Sequence, residues 1–265
     1  MRKIFICFLL SKFFVLTLFS QNGDYIGEGF FTKTIEHNRI ASTETNDYNQ
    51  KSKSDVEKLL FGDFNAPFEF FYNPPFPGYG NDDSEVQSGF RICRDSSVNS
   101  FVLQIKKISN YDEARSKAVE FRPKSIPSLS ASDEIKKQIA DYNREVYPKY
   151  VNEVQKHLTV ETISYPISNQ FAEKISEKMS SFIQNFKASG SPIDVNKDGS
   201  ITIHIMDDGY DVTFRTVVGS EVWSLKNHLP TGTALKMSDF CRQILKETNE
   251  NKFNDEYFTK LLDKL

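Results

Sequence analysis

Residues 194–202, DVNKDGSIT, have the clearest chemical pattern in the chain. Asp194, Asn196 and Asp198 occupy positions 1, 3 and 5 of this run, and glycine follows at position 6, as in an EF-hand calcium loop. Position 12, where that loop needs a bidentate glutamate, is Ile205 instead, and the residues after the glycine alternate as in a strand. Asn, Asp and Gly also form ordinary hairpin turns. The pattern therefore predicts a hairpin and no metal site, with calcium binding by the three oxygen-bearing residues as the alternative.

Catalytic motifs are missing from the sequence. No two histidines have zinc-ligand spacing, no G-x-S-x-G elbow is present, and no glycine-rich loop could bind phosphate. Asp207 and Asp208 precede a glycine, where aspartates are typical turn residues. The sequence consequently predicts no catalytic residue and no cofactor, and it favours a protein that is not an enzyme.

Residues 61–85 form a segment that is dense in aromatic residues and prolines. The prolines predict an extended segment that is neither a helix nor a central strand. Its rings either contact a ligand or partner, or lie across the domain as packing; exposed rings at this density are costly, which favours packing. The candidate binding rings are Phe70, Phe71, Tyr72, Phe76 and Tyr79.

Trp223 is the sole tryptophan and lies in the run EVWSL, which is typical of a strand. It either packs in the core or marks a binding surface together with Asn227, His228 and Pro230. Packing is favoured, and Trp223 remains a candidate binding residue.

The alternation of apolar residues predicts an α+β domain over residues 86–265, with a mostly antiparallel sheet built from hairpins and packed with three to four helices. Ser132 and Asn254 are predicted helix caps, and Pro148 is predicted to kink or break a helix near Tyr147. The predicted strands are 88–95, 100–109, 159–167, 192–195, 201–206, 210–218 and 221–225. The predicted helices are 110–121, one that begins at 132, 169–187, 235–248 and a short last one after 254.

The first twenty residues predict a secretory signal peptide. Arg2 and Lys3 precede an apolar stretch that Lys12 interrupts, which leaves Phe13 to Phe19 as the apolar core. Ser20 is a small residue at a plausible cleavage position before Gln21. The run is too short to span a bilayer, so we expect no transmembrane anchor after cleavage; the alternative is an uncleaved anchor. Residues 21–60 are mostly polar and are predicted to form a flexible leader.

Charge argues against a nucleic-acid partner. The full chain has a net charge of −3, and residues 1–20 carry three of the 33 basic residues and no acidic one. The mature chain therefore has 30 basic and 36 acidic residues and a net charge of −6. Nucleic-acid binding favours a basic face instead.

The predicted mature chain keeps two cysteines, Cys93 and Cys241. Export permits a disulfide between them, whereas free buried thiols are the alternative. Strand alternation puts Cys93 opposite the more apolar face of its strand, which favours free thiols.

Five runs within residues 86–250 are SGFRICRDSS, FVLQIKKISNYDEAR, PISNQFAEKISEKMSSFI, DGYDVTFRTVVGSEVWSL and ALKMSDFCRQIL. They resemble a group of uncharacterised exported proteins of gut-type Gram-negative bacteria. The resemblance covers roughly these residues and implies a periplasmic or secreted location, but it implies no activity and no site residues.

The sequence thus favours an exported, non-catalytic protein that binds an unknown protein or small ligand in the cell envelope. The alternatives are an exported, hydrolase-like enzyme whose site is assembled from distant residues, and a module stabilised by calcium at residues 194–198.

Overall fold

The structure is a computed structural model. It describes residues 30–37, 40–45, 55–62, 66–74, 86–95, 100–125, 128, 130–187, 193–195, 201–203 and 209–265. The predicted signal peptide, residues 1–20, lies outside these ranges.

The described residues form ten strands, six α-helices and one 3₁₀ turn, Val119–Phe121. The strands are β1 Phe30–His37, β2 Ile40–Thr45, β3 Phe68–Asn73, β4 Ser88–Asp95, β5 Ser100–Ile108, β6 Val160–Ile167, β7 Ile193–Val195, β8 Ile201–Ile203, β9 Asp211–Val218 and β10 Glu221–His228. The helices are α1 Asp55–Phe61, α2 Tyr111–Lys117, α3 Asp133–His157, α4 Asn169–Asn185, α5 Gly232–Asn249 and α6 Asp255–Leu262.

Eight of the strands form one antiparallel sheet in the order β2-β1-β10-β9-β3-β4-β5-β6, and β7 and β8 form a separate hairpin. The predicted fold class, α+β with a mostly antiparallel sheet, is confirmed. Every sheet pairing that we describe is antiparallel, which allows neighbouring strands to follow each other through short turns.

One face of the sheet, which we call the core face, carries the main hydrophobic core. Phe70 of β3 lies between Phe90 of β4 and Phe214 of β9, with ring centroids 5.6 Å and 5.3 Å away. Helices α4, α5 and α6 cover this face; the ring of Phe182 in α4 contacts Phe214 edge-on at 5.2 Å. Burial of these rings is the main favourable term that holds helices and sheet together.

The opposite face, which we call the second face, is covered in its middle by the short helix α1. Leu60 and Phe61 of α1 form a smaller buried cluster with Phe71 of β3 and Ile108 of β5. Successive side chains of a strand point to opposite faces, so Phe71 lies on the second face while Phe70 and Tyr72 lie on the core face. The sheet is therefore buried on both sides around β3.

Two predictions about the N-terminal third of the chain are wrong. Residues 30–37 and 40–45 were expected in a flexible leader, yet β1 pairs with β10 along seven positions and Phe31 is 4% exposed. Residues 68–73 were expected to lie outside any central strand, yet β3 is bonded to β4 and β9. The run FEFFYN is itself free of proline, and Pro67 and Pro74 flank the strand without removing a ladder hydrogen bond from it.

The helix predictions are largely confirmed, and of the two outcomes predicted at Pro148, a kink or a break, the break does not occur. The hydroxyl of Ser132 accepts a hydrogen bond from the N–H of Ile135 at 3.4 Å, and Asn254 caps α6 through the N–H of Tyr257 at 3.0 Å. Helix α3 continues unbroken through Pro148, which lies on its exposed side, where solvent can bond the carbonyl left without a donor.

Candidate functional site

A buried ion pair occupies the centre of the second face. Glu69 of β3 and Arg215 of β9 lie directly opposite each other in the sheet, and their side chains are 1% and 3% exposed. The Nε atom of Arg215 donates to the Oε2 atom of Glu69 at 2.6 Å, and the Nη2 atom lies 2.6 Å from the same oxygen. A buried charge needs this kind of compensation, because the lost hydration is worth several kcal/mol per ion.

Arg215 also connects the sheet to α1. Its Nη2 atom donates to the backbone oxygen of Phe61 at 3.1 Å, and its guanidinium carbon lies 4.6 Å from the ring centre of Phe71. One turn earlier in α1, Glu57 accepts a hydrogen bond from the hydroxyl of Thr213 at 2.7 Å. These polar contacts, together with the apolar cluster, fix α1 on the sheet.

A second polar group lies at the end of β9, beside α1. The Oδ1 atom of Asp211 is 2.9 Å from the Nδ1 atom of His228, and its Oδ2 atom is 3.2 Å from the Nζ atom of Lys226. Burial raises the pKa of the Asp211 carboxyl, but the hydrogen bond with His228 and the charge of Lys226 outweigh it, so the pKa lies below its usual value. Asp211 therefore carries a negative charge near neutral pH.

These residues line a small cavity. It offers about 10 Å³ to the centre of a water molecule, which is room for about one water and none for an organic substrate. Thr213, one of its lining residues, donates its hydroxyl hydrogen to Glu57. The lining residues are Glu57, Leu60, Phe71, Tyr72, Asn73, Asp211, Thr213 and Lys226. This cavity can hold a water against Asp211, whose charge is compensated by Lys226.

Three of the five candidate binding rings are buried inside the fold. Phe70, Phe71 and Tyr72 are 0%, 3% and 7% exposed, so β3 uses them as packing on the two faces of the sheet. Phe76 and Tyr79 lie outside the described residues. A ring at these exposures contacts a partner only if the sheet opens, so we withdraw the three described rings as candidates.

Trp223 lies on the core face of β10 and is half-buried against the main core. Its Nε1 atom donates to the carboxylate of Glu221 at 2.8 Å, and the Nζ atom of Lys33 lies 5.2 Å from its ring centre. Both neighbours belong to the same chain, so the indole is held by packing, a hydrogen bond and a cation–π contact.

The predicted hairpin at the calcium-like motif is confirmed. Asp194 of β7 pairs with Thr202 of β8, whereas Asn196 and Asp198 lie outside the described residues. Within the described ranges, no group of three or more His, Cys, Asp or Glu side chains is arranged to hold a metal ion.

Cys93 and Cys241 are free thiols. Cys241 is buried on the core face with Ile92, and the neighbour of Ile92, Cys93, points to the other face of β4, half-buried. Burial raises the pKa of the Cys241 thiol well above its usual value.

Among the described strands, β6 lies at one edge of the sheet and pairs with β5 alone. The backbone N–H of Ser109 donates to the oxygen of Thr159 at 3.1 Å, in register with the rest of this pair. Odd-numbered residues of β6 therefore bond β5, because the N–H and C=O groups alternate sides along a strand. Pro166, which has no N–H, fits this assignment, since it falls at an outward position.

The outward positions of β6 are Val160, Thr162, Ser164 and Pro166. The first three each direct an N–H and a C=O group away from the sheet, and within the described residues no backbone group bonds them. Between them, Ile163 is 38% exposed. An edge with free donors, acceptors and an exposed apolar side chain is a template for one more strand.

Sequence reasoning missed both the polar groups and this edge. Glu69 stands among four aromatic residues in FEFFYN, and Arg215 follows Phe214 in the strand DVTFRTVV. A charged residue inside a mostly apolar strand was the sequence signal that could have indicated the buried ion pair. For β6, the proline at 166 was the one hint of an edge position.

Comparison of the chain with protein-family models, with curated proteins and with solved structures finds no match. Among the described residues, no helix has both the length and the apolar content needed to cross a bilayer.

Proposed function

We propose that this chain is an exported protein of the cell envelope that binds a polypeptide partner without catalysing a reaction. The partner adds one strand to the open edge of β6. The observation that carries this proposal is the row of outward N–H and C=O groups at Val160, Thr162 and Ser164. Backbone hydrogen bonds to an added strand supply affinity, and the side chains beside the edge supply selectivity.

Several features support an accessible edge. The side chains of residues 161–164 are exposed, so neither a helix nor a loop of the described chain lies over the middle of β6. Natural edge strands are commonly protected by lysines, prolines or bulges. In β6, the lone proline lies near the C-terminal end, and the charge of Glu161 is 3.6 Å from Lys107 of β5.

Site-specific photo-crosslinking in the producing cells tests this function. A benzoylphenylalanine at Ser164 should give a polypeptide adduct, and the same probe at the exposed Lys149 of α3 should give none. Adding Thr162→Pro removes one outward N–H and should abolish the adduct, whereas Thr162→Val keeps the N–H and should preserve it. Equal yields with proline and valine would contradict strand addition.

The second candidate is an exported, hydrolase-like enzyme, and the pair of Asp211 and His228 favours it. A carboxylate 2.9 Å from an imidazole nitrogen can orient that ring as a general base, and the neighbouring cavity has room for a water. Hydrolysis of nitrophenyl esters or short peptides by the wild type, lost in Asp211→Asn, would favour the enzyme. Binding alone predicts that both proteins are inactive.

Calcium stabilisation through Asp194, Asn196 and Asp198 is the third alternative. The chain has Ile205 where an EF-hand loop has its bidentate glutamate, which favours the other two.

A further inference from the structure

The outward groups of β6 also show what kind of strand fits this edge. We infer that a second copy of β6 adds antiparallel to the first, with Ile163 opposite Ile163 of the other copy, so that the two sheets become continuous. This inference rests on the proposed function, because it names the partner of the same edge.

The register follows from the positions of the donors and of the proline. With Ile163 on the two-fold axis, Thr162 faces Ser164 of the other copy, and Val160 faces Pro166. The outward N–H groups of Val160, Thr162 and Ser164 then each meet a carbonyl. Pro166 has no N–H to donate, but it lies at the end of the paired stretch, where one lost hydrogen bond weakens the pairing least.

The side chains are self-complementary in this register. Ile163, which is 38% exposed in one copy, meets its own counterpart at a close, non-hydrogen-bonded position. Glu161 faces Tyr165 of the other copy, and the hydroxyls of Thr162 and Ser164 face each other. No two like charges face each other in this register. The edge is therefore complementary to a second copy of itself, as a two-fold interface requires.

Sedimentation of the purified chain over a concentration series tests the inference. The wild type and Thr162→Val should reach twice the monomer mass, and Thr162→Pro should remain a monomer with unchanged circular dichroism. A wild type that stays a monomer would overturn self-pairing, as would a Thr162→Pro dimer, which would place the interface elsewhere.

Disulfide trapping tests the register without relying on proline. Ile163→Cys puts two sulfurs on facing residues whose Cα atoms are about 4.5 Å apart, within bridging range. Glu161→Cys is the matched control on the same strand face, because its copy lies four residues away along the strand, about 13 Å. Mild oxidation should cross-link the Ile163→Cys variant alone, and the wild type should show whether its own thiols contribute. Equal cross-linking of both variants, or none in either, would overturn the register.

Failure of self-pairing is distinguishable from failure of the proposed function. A chain that is monomeric when purified but gives a proline-sensitive adduct with a different polypeptide in cells would refute the second copy as occupant and keep strand addition. An adduct with the mass of two chains would support both.

Discussion

Glu69→Gln tests how strongly the buried ion pair stabilises the fold. The substitution keeps the shape of the side chain but leaves the charge of Arg215 in a place where that side chain is 3% exposed. The two short contacts of Arg215 with Glu69 lose their anionic oxygen, while its contacts with Phe61 and Phe71 remain. Removing one partner of a buried pair typically costs about 3–5 kcal/mol, and we expect a loss of this size in the free energy of unfolding.

Urea unfolding followed by circular dichroism measures this loss. The midpoint should fall while the dependence of the free energy on urea stays constant, because the surface exposed on unfolding does not change. Glu145→Gln is the control: Glu145 contacts Lys149 at 2.8 Å on α3, where both side chains are more than half exposed. That exposed pair should contribute about 0–1 kcal/mol.

The double substitution Glu69→Leu and Arg215→Met separates charge from packing. Replacing both charges by apolar side chains of similar volume is often neutral, so the double variant should recover most of the stability lost by Glu69→Gln. A loss below about 1 kcal/mol for Glu69→Gln alone would refute the reasoning, because the pair would then behave as an exposed one.

Four further predictions concern the rest of the chain. The folded-state pKa of Asp211 lies below its ordinary value of 3.8, so the stability that Asp211 contributes is fully present above pH 3.8 and is lost as the pH falls through the lower, folded-state pKa. The difference in unfolding free energy between the wild type and Asp211→Asn should consequently shrink as the pH falls below the ordinary value of 3.8, and a constant difference would contradict this. Alkylation without reductant, followed by mass spectrometry, should label Cys93 in the folded protein and Cys241 only on unfolding, because burial shields Cys241 and raises its pKa. Thermal melts with calcium and with chelator should coincide; a shift of several degrees would favour calcium binding at Asp194 and its neighbours. N-terminal sequencing of the exported protein should begin near Gln21, whereas an intact first methionine would indicate a membrane anchor.

The periodic elements of the C-terminal two thirds could be predicted because their signals are local. Ser132 and Asn254 cap helices through their own side chains, and the apolar face of 169–187 repeats at helical spacing. Such signals do not depend on the partner across the sheet.

The N-terminal strands could not be predicted for the opposite reason. Residues 30–37 form a strand because β10, almost two hundred residues later, supplies their hydrogen bonds, and Phe31 is buried against Phe186 of the segment after α4. Local composition therefore gave the wrong prediction, because the stabilising contacts are distant in sequence.

The candidate site depends on distant contacts in the same way. Glu69 and Arg215 are 146 positions apart, and Thr213 and Glu57 are 156 apart, so no motif spacing joins them. Whether β6 is an edge strand likewise depends on which strand lies beside it. Pro166 has no N–H and so indicated a position that makes no hydrogen bond within the sheet. This was the only sequence signal that β6 is an edge strand.

Residue-resolved hydrogen exchange by NMR tests the open edge most directly. At a concentration at which sedimentation shows a monomer, the amides of Glu161, Ile163 and Tyr165 should be protected by their bonds to β5, and those of Val160, Thr162 and Ser164 should exchange rapidly. Raising the concentration should protect the second set as the partner strand adds. Strong protection of Val160, Thr162 and Ser164 in the monomer would contradict the account, because it would mean that the chain itself already covers the edge.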